Sequence, residues 1–222
     1  MKIGFIGAGQ IAGFHYLGYK DDPRAVVYAI CESDKRLLKQ RAAEWNVEKT
    51  YVDYRELLSD PLVDVVEVIT PHHLHEEMVI AALSAGKHVS VQKPMALNLT
   101  EADAMIEQAN RSDKVFRVME NYRFHNHVIR AKELIDAGNI GDPISIRMKS
   151  ISGKVSYGDP PESSKEWRSD TSQSGEGSFV FDHGHYMFAS ATYFLGDVER
   201  VFSFIGRKKV DKHVEMLAGA LH

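Results

Sequence analysis

Residues 3–12 read IGFIGAGQIA, a short apolar run that leads into a G-x-G-x-x-A pattern formed by Gly7, Gly9 and Ala12. An apolar run bounded by glycine predicts a buried strand, and the residues that follow predict a helix. In such a strand–turn–helix, the first glycine permits a tight turn and the second leaves room for a pyrophosphate beside the backbone. The alanine lets helix and strand pack closely. The stretch therefore predicts the first turn of a Rossmann-type dinucleotide-binding domain.

The residues around this turn indicate which dinucleotide is expected. The helix N-terminus, at Gln10 and Ile11, offers N–H groups and the positive end of the helix dipole to phosphates. Glu32 follows the second predicted strand, about 20 residues further on, where a carboxylate accepts hydrogen bonds from both ribose hydroxyls. Because Glu32 would repel a 2′-phosphate, NAD is favoured. Lys35 and Arg36 are cations close by and leave NADP open as an alternative.

The remainder of the chain predicts two domains. Strands alternate with helices over about the first 120 residues, a pattern typical of an α/β fold with a parallel, doubly wound sheet. We therefore expect a Rossmann domain over residues 1–121 and an α+β domain over residues 122–222. The predicted elements of the first domain are strands 3–6, 25–31, 63–70, 88–92 and 115–120, a strand–loop–helix at 51–58, and helices 10–20, 33–45, 76–85 and 100–111. The predicted elements of the second are helices 126–137 and 178–195, strands 143–152 and 198–205, and a surface loop at 153–173.

Composition excludes several classes of protein. The chain has 222 residues and a formal net charge of −4, which argues against a nucleic-acid partner because such proteins carry a basic face. Cys31 is the single cysteine, so an intrachain disulfide cannot form. We find no signal peptide and no apolar run long enough for a membrane span. The expectation is a cytoplasmic protein without a membrane partner.

Several motifs together resemble the Gfo/Idh/MocA family of NAD(P)-dependent oxidoreductases. The resemblance covers nearly the whole chain and implies a second domain built on an open, mainly antiparallel sheet that is used for dimerisation. Members of the family continue for on the order of a hundred residues more, so the second domain is expected to be incomplete, either truncated or completed by a partner chain. Unpaired sheet edges favour a homo-oligomer, a dimer or tetramer. The motifs are GAGQIA (7–12), TPHHLHEEMVIAALSAGKHVSVQKPMA (70–96), ENYRF (120–124), KELIDAGNIGDPISI (132–146) and FDHGHYMFASATYFLG (181–196).

The resemblance implies a catalytic role for Lys93, which stands in a Q-K-P version of the family's E-K-P motif. Independently of the family, an ammonium at the carboxyl end of a strand can polarise a carbonyl or stabilise an alkoxide. Gln92 replaces the usual Glu, and keeps hydrogen-bonding capacity but not the charge. The family's Thr-Pro turn implies that Thr70, Pro71 and His75 line the cofactor. No obvious Cys or carboxylate completes a ligand set with the histidines of this turn, so we expect no metal.

The second domain carries the expected acid/base groups. The family's D-x-G-x-H pattern is D-x-G-x-Y here, which implies Asp182 as the orienting carboxylate and Tyr186 as the acid/base. His185 and His183 compete for that role, since a histidine titrates closer to neutral pH. The expected substrate contacts, in addition to Lys93, Asp182 and His183, are Tyr122, Arg123 and Arg168. Glu176 interrupts the glycine-rich turn that follows Arg168 in the family.

The leading hypothesis is an oxidoreductase that moves a hydride between NAD and a hydroxyl-bearing carbon of a sugar, polyol or related small molecule. Two alternatives remain from the sequence. One is an NAD-dependent glycosidase with no net redox change, which would release sugar from an aryl glycoside without accumulating NADH. The other is a truncated, non-catalytic paralogue that binds NAD as a sensor subunit, which Gln92, Glu176 and the short C-terminus favour.

Overall fold

The computed structural model describes residues 1–151, 166–168, 170–175, 178–202 and 213–214. These residues belong to two compact units. Those within Met1–Met119 and Pro160–Ser178 form the first, which we call the Rossmann unit, and those within Glu120–Asp159 and Phe179–His222 form the second unit. In the described part of the chain, no helix combines the length and apolarity needed to cross a membrane.

The Rossmann unit is built on a six-stranded parallel sheet with the order β3-β2-β1-β4-β5-β6. This order reverses direction between β1 and β4, the place where ligands bind open α/β sheets. The doubly wound architecture predicted from the sequence is confirmed. The strands are β1 Lys2–Ile6, β2 Val26–Cys31, β3 Lys49–Tyr51, β4 Val65–Val68, β5 His88–Val91 and β6 Phe116–Val118, and the helices are α1 Gln10–Tyr19, α2 Lys35–Trp45, α3 Tyr54–Ser59, α4 His75–Ser84 and α5 Leu99–Asn110.

Two apolar clusters cover the two faces of this sheet. Side chains of a strand point alternately to opposite faces, and accordingly Phe5 packs in one cluster and its neighbour Ile6 in the other. The Phe5 cluster includes Ala12 of α1 and Trp45 of α2, whereas the Ile6 cluster includes residues of α3, α4 and α5. Burial on both faces explains why the central strands are nearly continuous in apolar residues.

The N-terminus of α5 differs from the sequence prediction. In the predicted helix 100–111, Thr100 with Asp103 has the character of a capping box, but the N-cap lies two residues earlier. Asn98 is the N-cap, and its side chain accepts a hydrogen bond from the N–H of Glu101 at 3.0 Å. Glu101 reciprocates by accepting from the N–H of Leu97 at 2.8 Å. The prediction was wrong because Asn98 and Glu101 form the same pattern with a stronger capping residue than threonine.

The second unit contains α6 Asn126–Asp136, most of α8 Ser178–Leu195, and a two-residue antiparallel pair of β7 Ser150–Ile151 with β8 His213–Val214. The strand predicted at 143–152 is therefore wrong for residues 143–149. An alternating pattern yields a strand only where a neighbour pairs with it, and the described partner is two residues long. Residues 198–202 of the last predicted strand are not in a strand either, and residues 203–205 lie outside the described residues.

The predicted loop at 153–173 is only partly described. Residues 152–165 and 169 lie outside the described residues, but residues 166–168 are helical and Thr171–Ser174 form a short helix, α7. Asp170 caps α7 by accepting a hydrogen bond from the N–H of Ser172 at 2.9 Å. The loop prediction missed this helix because its residues show no apolar period.

Candidate functional site

The turn after β1 requires glycine at its first position. Gly7 has a φ of +95°, and a Cβ built there would lie 2.4 Å from the carbonyl oxygen of Ile69. Its N–H donates to the carbonyl of Cys31 at 2.9 Å, which continues the β1–β2 ladder into the turn. A side chain at this position would meet both a disfavoured backbone conformation and a backbone atom. Gly7 thus shapes the turn through sterics.

The second glycine leaves open space in front of the helix. Gly9 is the N-cap of α1, and a Cβ built on it would meet no atom within 4 Å. The first-turn residues Gln10 and Ile11 follow it on the exposed side, whereas Ala12 is fully buried against the sheet. A helix N-terminus with an open approach is suited to bind phosphate. The residues present therefore fit a dinucleotide pyrophosphate.

Glu32 lies beside this turn, directly after β2. One carboxylate oxygen, Oε2, accepts a hydrogen bond from the N–H of Ala8 at 2.9 Å, and Oε1 accepts from the N–H of Asp34 at 3.1 Å. These bonds fix the carboxylate next to the glycine turn. Lys35 and Arg36 are exposed in the first turn of α2. The backbone bonds thus give Glu32 a defined place and leave the two cations in solvent.

The turns that follow β4 and β5 are joined by His75. Its ring is fully buried, with Nδ1 at 3.0 Å from the carbonyl oxygen of Pro94 and Nε2 at 3.0 Å from that of Thr70. Burial lowers the pKa of His75 to about 4, and the nearby His72 acts in the same direction. The ring is therefore neutral at pH 7 and donates to one of the two carbonyls. Pro71 precedes the short 3₁₀ turn from which α4 begins.

The carboxyl end of β5 carries Gln92 and Lys93. The N–H of Gln92 donates to the carbonyl of Val68 at 2.9 Å, which joins this end of β5 to β4. The side-chain Oε1 of Gln92 accepts from the N–H of Lys93 at 3.0 Å, and its Nε2 lies 2.7 Å from Nε2 of His15 on α1. The Lys93–Pro94 peptide bond is cis. Lys93 therefore stands at the sheet edge where ligands of this fold bind.

The segment that carries Arg168 is held to the Rossmann unit by His72. The ring of Trp167 packs edge-on against His72 with centroids 4.8 Å apart, and Nδ1 of His72 lies 3.1 Å from the carbonyl oxygen of Ser174. The guanidinium of Arg168 lies over the Trp167 ring at 4.3 Å. Because His72 is buried in the Rossmann unit, these two contacts hold Trp167 and Ser174 against that unit. Arg168 thus belongs to the Rossmann unit rather than the second unit.

In the second unit, three of the expected residues come together with one that was not expected. Nε2 of His185 lies 3.2 Å from Oε2 of Glu120, within ion-pairing distance. The other oxygen, Oε1, accepts from the N–H of Tyr122 at 2.8 Å. Ring centroids of Tyr122 and Tyr186 are 5.6 Å apart, and those of His185 and Tyr186 are 3.9 Å apart. Glu120 thus links the turn that starts the unit to the histidine on α8.

Of the other residues expected at the site in the second unit, the structure describes only the side chain of Arg123. Arg123 lies in the 3₁₀ turn Tyr122–Phe124, with its guanidinium 4.8 Å from the Phe124 ring centre. Asp182 and His183 lie on α8, but their side chains fall outside the described residues, as does Glu176. Their expected roles stay predictions.

Sequence reasoning missed three polar residues at these sites. Glu120 is the first residue of the quoted ENYRF motif, and its acidic side chain next to a predicted domain boundary was the available signal. Glu67 interrupts the apolar run VDVVEVIT, and a carboxylate within a buried strand always needs a partner. His15 is a polar residue in α1, four positions before Tyr19, so that both lie on one helix face. Their contacts depend on sheet register and could not be derived from spacing.

The sequence matches two family models that together span most of the chain. Residues 1–120 match an oxidoreductase family with an NAD-binding Rossmann fold. Residues 128–221 match the GFO/IDH/MocA C-terminal domain. The first match covers more than half of the chain and coincides with the strands and helices of the parallel sheet.

Curated relatives include two sugar or polyol dehydrogenases. Myo-inositol 2-dehydrogenase of Thermotoga maritima is 38% identical over 150 residues, 68% of this chain and 45% of that protein. Levoglucosan dehydrogenase of Pseudarthrobacter phenanthrenivorans is 31% identical over 209 residues, 90% of this chain and 53% of that protein. A solved structure of levoglucosan dehydrogenase with NADH and levoglucosan has a TM-score of 0.80 at 31% identity, covering 89% of this chain and 54% of that one. The chain spans about half the length of the curated relatives it matches.

Proposed function

The chain belongs to the Gfo/Idh/MocA family of NAD-binding oxidoreductases, and from this we propose that it is a dehydrogenase of sugars or polyols. It would transfer a hydride between NAD and a hydroxyl-bearing carbon. One observation carries the proposal: the glycine turn, Glu32 and Lys93 follow β1, β2 and β5 at the same carboxyl edge of one parallel sheet. Ligands of open α/β sheets bind at this edge.

We propose that the glycine turn and Glu32 hold the dinucleotide. The open space at Gly9 and the N–H groups at the start of α1 suit a pyrophosphate, and Glu32 suits the hydroxyls of an unphosphorylated ribose. NAD, when bound, supplies the hydride acceptor for alcohol oxidation. The orientation of Glu32 by Ala8 and Asp34 supports NAD over NADP, because a 2′-phosphate would meet a fixed negative charge.

We propose that Lys93 stabilises the alkoxide and that a group of the second unit takes the hydroxyl proton. The candidates for that proton are Tyr186 and His185, with Asp182 as an orienting carboxylate. The contact between Glu120 and His185 favours His185, since a carboxylate beside an imidazole stabilises the imidazolium that forms on proton uptake. The ring of Tyr186 lies against that of His185, so the two candidates share one place on α8.

We further propose that the protein is a cytoplasmic homo-oligomer. The second unit exposes large apolar side chains, among them Ile144, Val201 and Phe202, which are 71–79% exposed. Exposed apolar surface of this kind favours association between chains.

Cys31 is buried, and burial raises the pKa of its thiol to about 12, so it is a packing residue and not a reactive thiol.

Lys93→Met is the variant that tests the dehydrogenase proposal. Methionine keeps most of the side-chain volume and removes the ammonium, so turnover of a panel of polyols should be abolished while NAD binding is retained. Turnover is followed by NADH absorbance and NAD affinity by calorimetric titration, with NADP run in parallel. Lys39→Met removes an exposed lysine of α2 and is the matched control, which should retain full activity.

Two results would contradict the proposal. Normal turnover in Lys93→Met would remove Lys93 from the mechanism. Tight NAD binding by the unaltered protein without turnover on any polyol, sugar or inositol would favour the non-catalytic alternative instead.

A further inference from the structure

A buried carboxylate lies in the middle of the parallel sheet. Glu67 of β4 is 2% exposed and pairs in register with Phe5 of β1 and Ser90 of β5. His15 and Tyr19, one turn apart on α1, both contact it: Nδ1 of His15 lies 2.7 Å from Oε2, and the Tyr19 hydroxyl donates to Oε1. Burying a carboxylate costs several kcal/mol before its partners compensate, and an apolar side chain avoids that cost. Glu67 therefore calls for a role beyond packing.

The contacts continue from Glu67 to Lys93, and each hydrogen bond has a defined direction. The backbone N–H of Lys93 can only donate, so the atom of Gln92 that it meets is the oxygen Oε1. The amide Nε2 of Gln92 must then donate to Nε2 of His15, 2.7 Å away. An imidazole that accepts at Nε2 carries its proton on Nδ1, where it donates to Glu67. These bond directions assign His15 the Nδ1–H tautomer.

We propose that His15 and Glu67 are positioning residues that hold the backbone of Lys93 through Gln92. Glu67 polarises and orients the imidazole, the imidazole fixes the amide of Gln92, and the amide oxygen holds the Lys93 N–H where β5 ends. The inference rests on the proposed function to the extent that Lys93 is the catalytic group. Carboxylate–histidine pairs act in the same way behind metal ligands, where they fix tautomer and orientation.

This chain of bonds also explains the glutamine at position 92. A glutamate has no N–H, so it could not donate to the Nε2 lone pair of His15. With Glu at position 92, His15 would need a second proton to sit between two carboxylates. Glu67, His15 and Gln92 are therefore a matched set, in which the negative charge stands on β4 and the neutral amide stands next to Lys93.

A matched pair of variants separates positioning from simple packing. His15→Phe and Tyr19→Phe each remove one hydrogen bond to Glu67, and both should lower the free energy of unfolding because the carboxylate loses a partner. Only His15 leads on to Lys93. His15→Phe should lower kcat by about 10- to 100-fold with little change in substrate KM or NAD Kd, whereas Tyr19→Phe should keep kcat.

Rescue by a conservative variant sharpens the test. In His15→Gln, the amide can donate to Glu67 and accept from Gln92, so the direction of every bond is preserved. His15→Gln should therefore recover most of the kcat that His15→Phe loses. Equal loss of kcat in His15→Phe and Tyr19→Phe, or no loss in either, would overturn the proposal.

Nuclear magnetic resonance tests the same bonds without turnover. In the unaltered protein, ¹⁵N shifts should show His15 protonated on Nδ1 only, and in Gln92→Glu on both nitrogens. The Lys93 amide resonance should shift in His15→Phe and remain in place in Tyr19→Phe. The opposite His15 tautomer, or an unmoved Lys93 amide in His15→Phe, would refute the positioning role. Because these signals need no substrate, they distinguish failure of this inference from failure of the proposed dehydrogenase activity.

Discussion

The two units hold their candidate residues by different means. In the Rossmann unit, Glu32, Gln92 and His75 are fixed by hydrogen bonds to backbone groups at the ends of strands. In the second unit, His185 is held beside the side chain of Glu120, and Tyr186 beside the rings of His185 and Tyr122. The difference implies that substitutions in the glycine turn of the Rossmann unit change stability or cofactor affinity, whereas those around Glu120 in the second unit change turnover first.

Gly7→Ala should give the largest loss in the free energy of unfolding, because the backbone around this turn of the Rossmann unit leaves no space for a Cβ atom. The new Cβ would lie 2.4 Å from a backbone oxygen at a φ of +95°. Strain and overpacking together should lower the free energy of unfolding by on the order of 3 kcal/mol, measured by urea denaturation.

Gly9→Ala is the matched control for that variant. Its Cβ would meet no atom within 4 Å, so stability should fall by about 1 kcal/mol at most, the cost of alanine at an N-cap, while NAD affinity falls about tenfold or more because the methyl occupies the approach of the pyrophosphate. If the two variants lost equal stability, the steric account of the turn would be wrong.

The Rossmann unit was predictable to a useful degree because its signals are local. The positions of Gly7, Gly9 and Glu32 follow from a contiguous motif and one fixed spacing, and the structure places Glu32 beside the turn as the spacing implies. The bonds of His15 and Glu67 were not predictable, since they depend on which helix covers which strand. The local sequence pattern therefore predicts which residues lie at the carboxyl edge of the sheet. It does not predict the hydrogen bonds between a helix and the buried strand that the helix covers.

Glu120→Gln tests the second unit, where we expect a loss of turnover without a loss of stability. The amide keeps the shape of the side chain but removes the charge beside His185. If His185 is the base, kcat should fall about tenfold, or about 1.4 kcal/mol in the barrier, with an unchanged urea midpoint. Glu133→Gln removes a charge from an exposed pair on α6 and should leave kcat unchanged. Full activity in Glu120→Gln would favour Tyr186 as the base.

The second unit was less predictable because its contacts join distant parts of the sequence. The ENYRF motif (120–124) and the polar residues 182–186 of α8 are both evident in the sequence, but nothing in their spacing indicates that Glu120 meets His185. The strand expected at 143–152 shows the same limit, because its alternation describes one strand and says nothing of the partner that must pair with it. Resemblance to a family therefore named residues whose physical partners only the structure supplied.

Asn98→Ala should give the smallest effect and tests the cap of α5, where the expected and observed residues differ. Asn98 accepts from the N–H of Glu101, so its loss should lower the free energy of unfolding by about 1 kcal/mol. Thr100, the residue expected from the sequence, lies within the first turn and is exposed. Thr100→Ala should be neutral or slightly stabilising, because alanine has the higher helix propensity. A larger loss in the free energy of unfolding for Thr100→Ala than for Asn98→Ala would show that Thr100, and not Asn98, is the N-cap of α5 in solution.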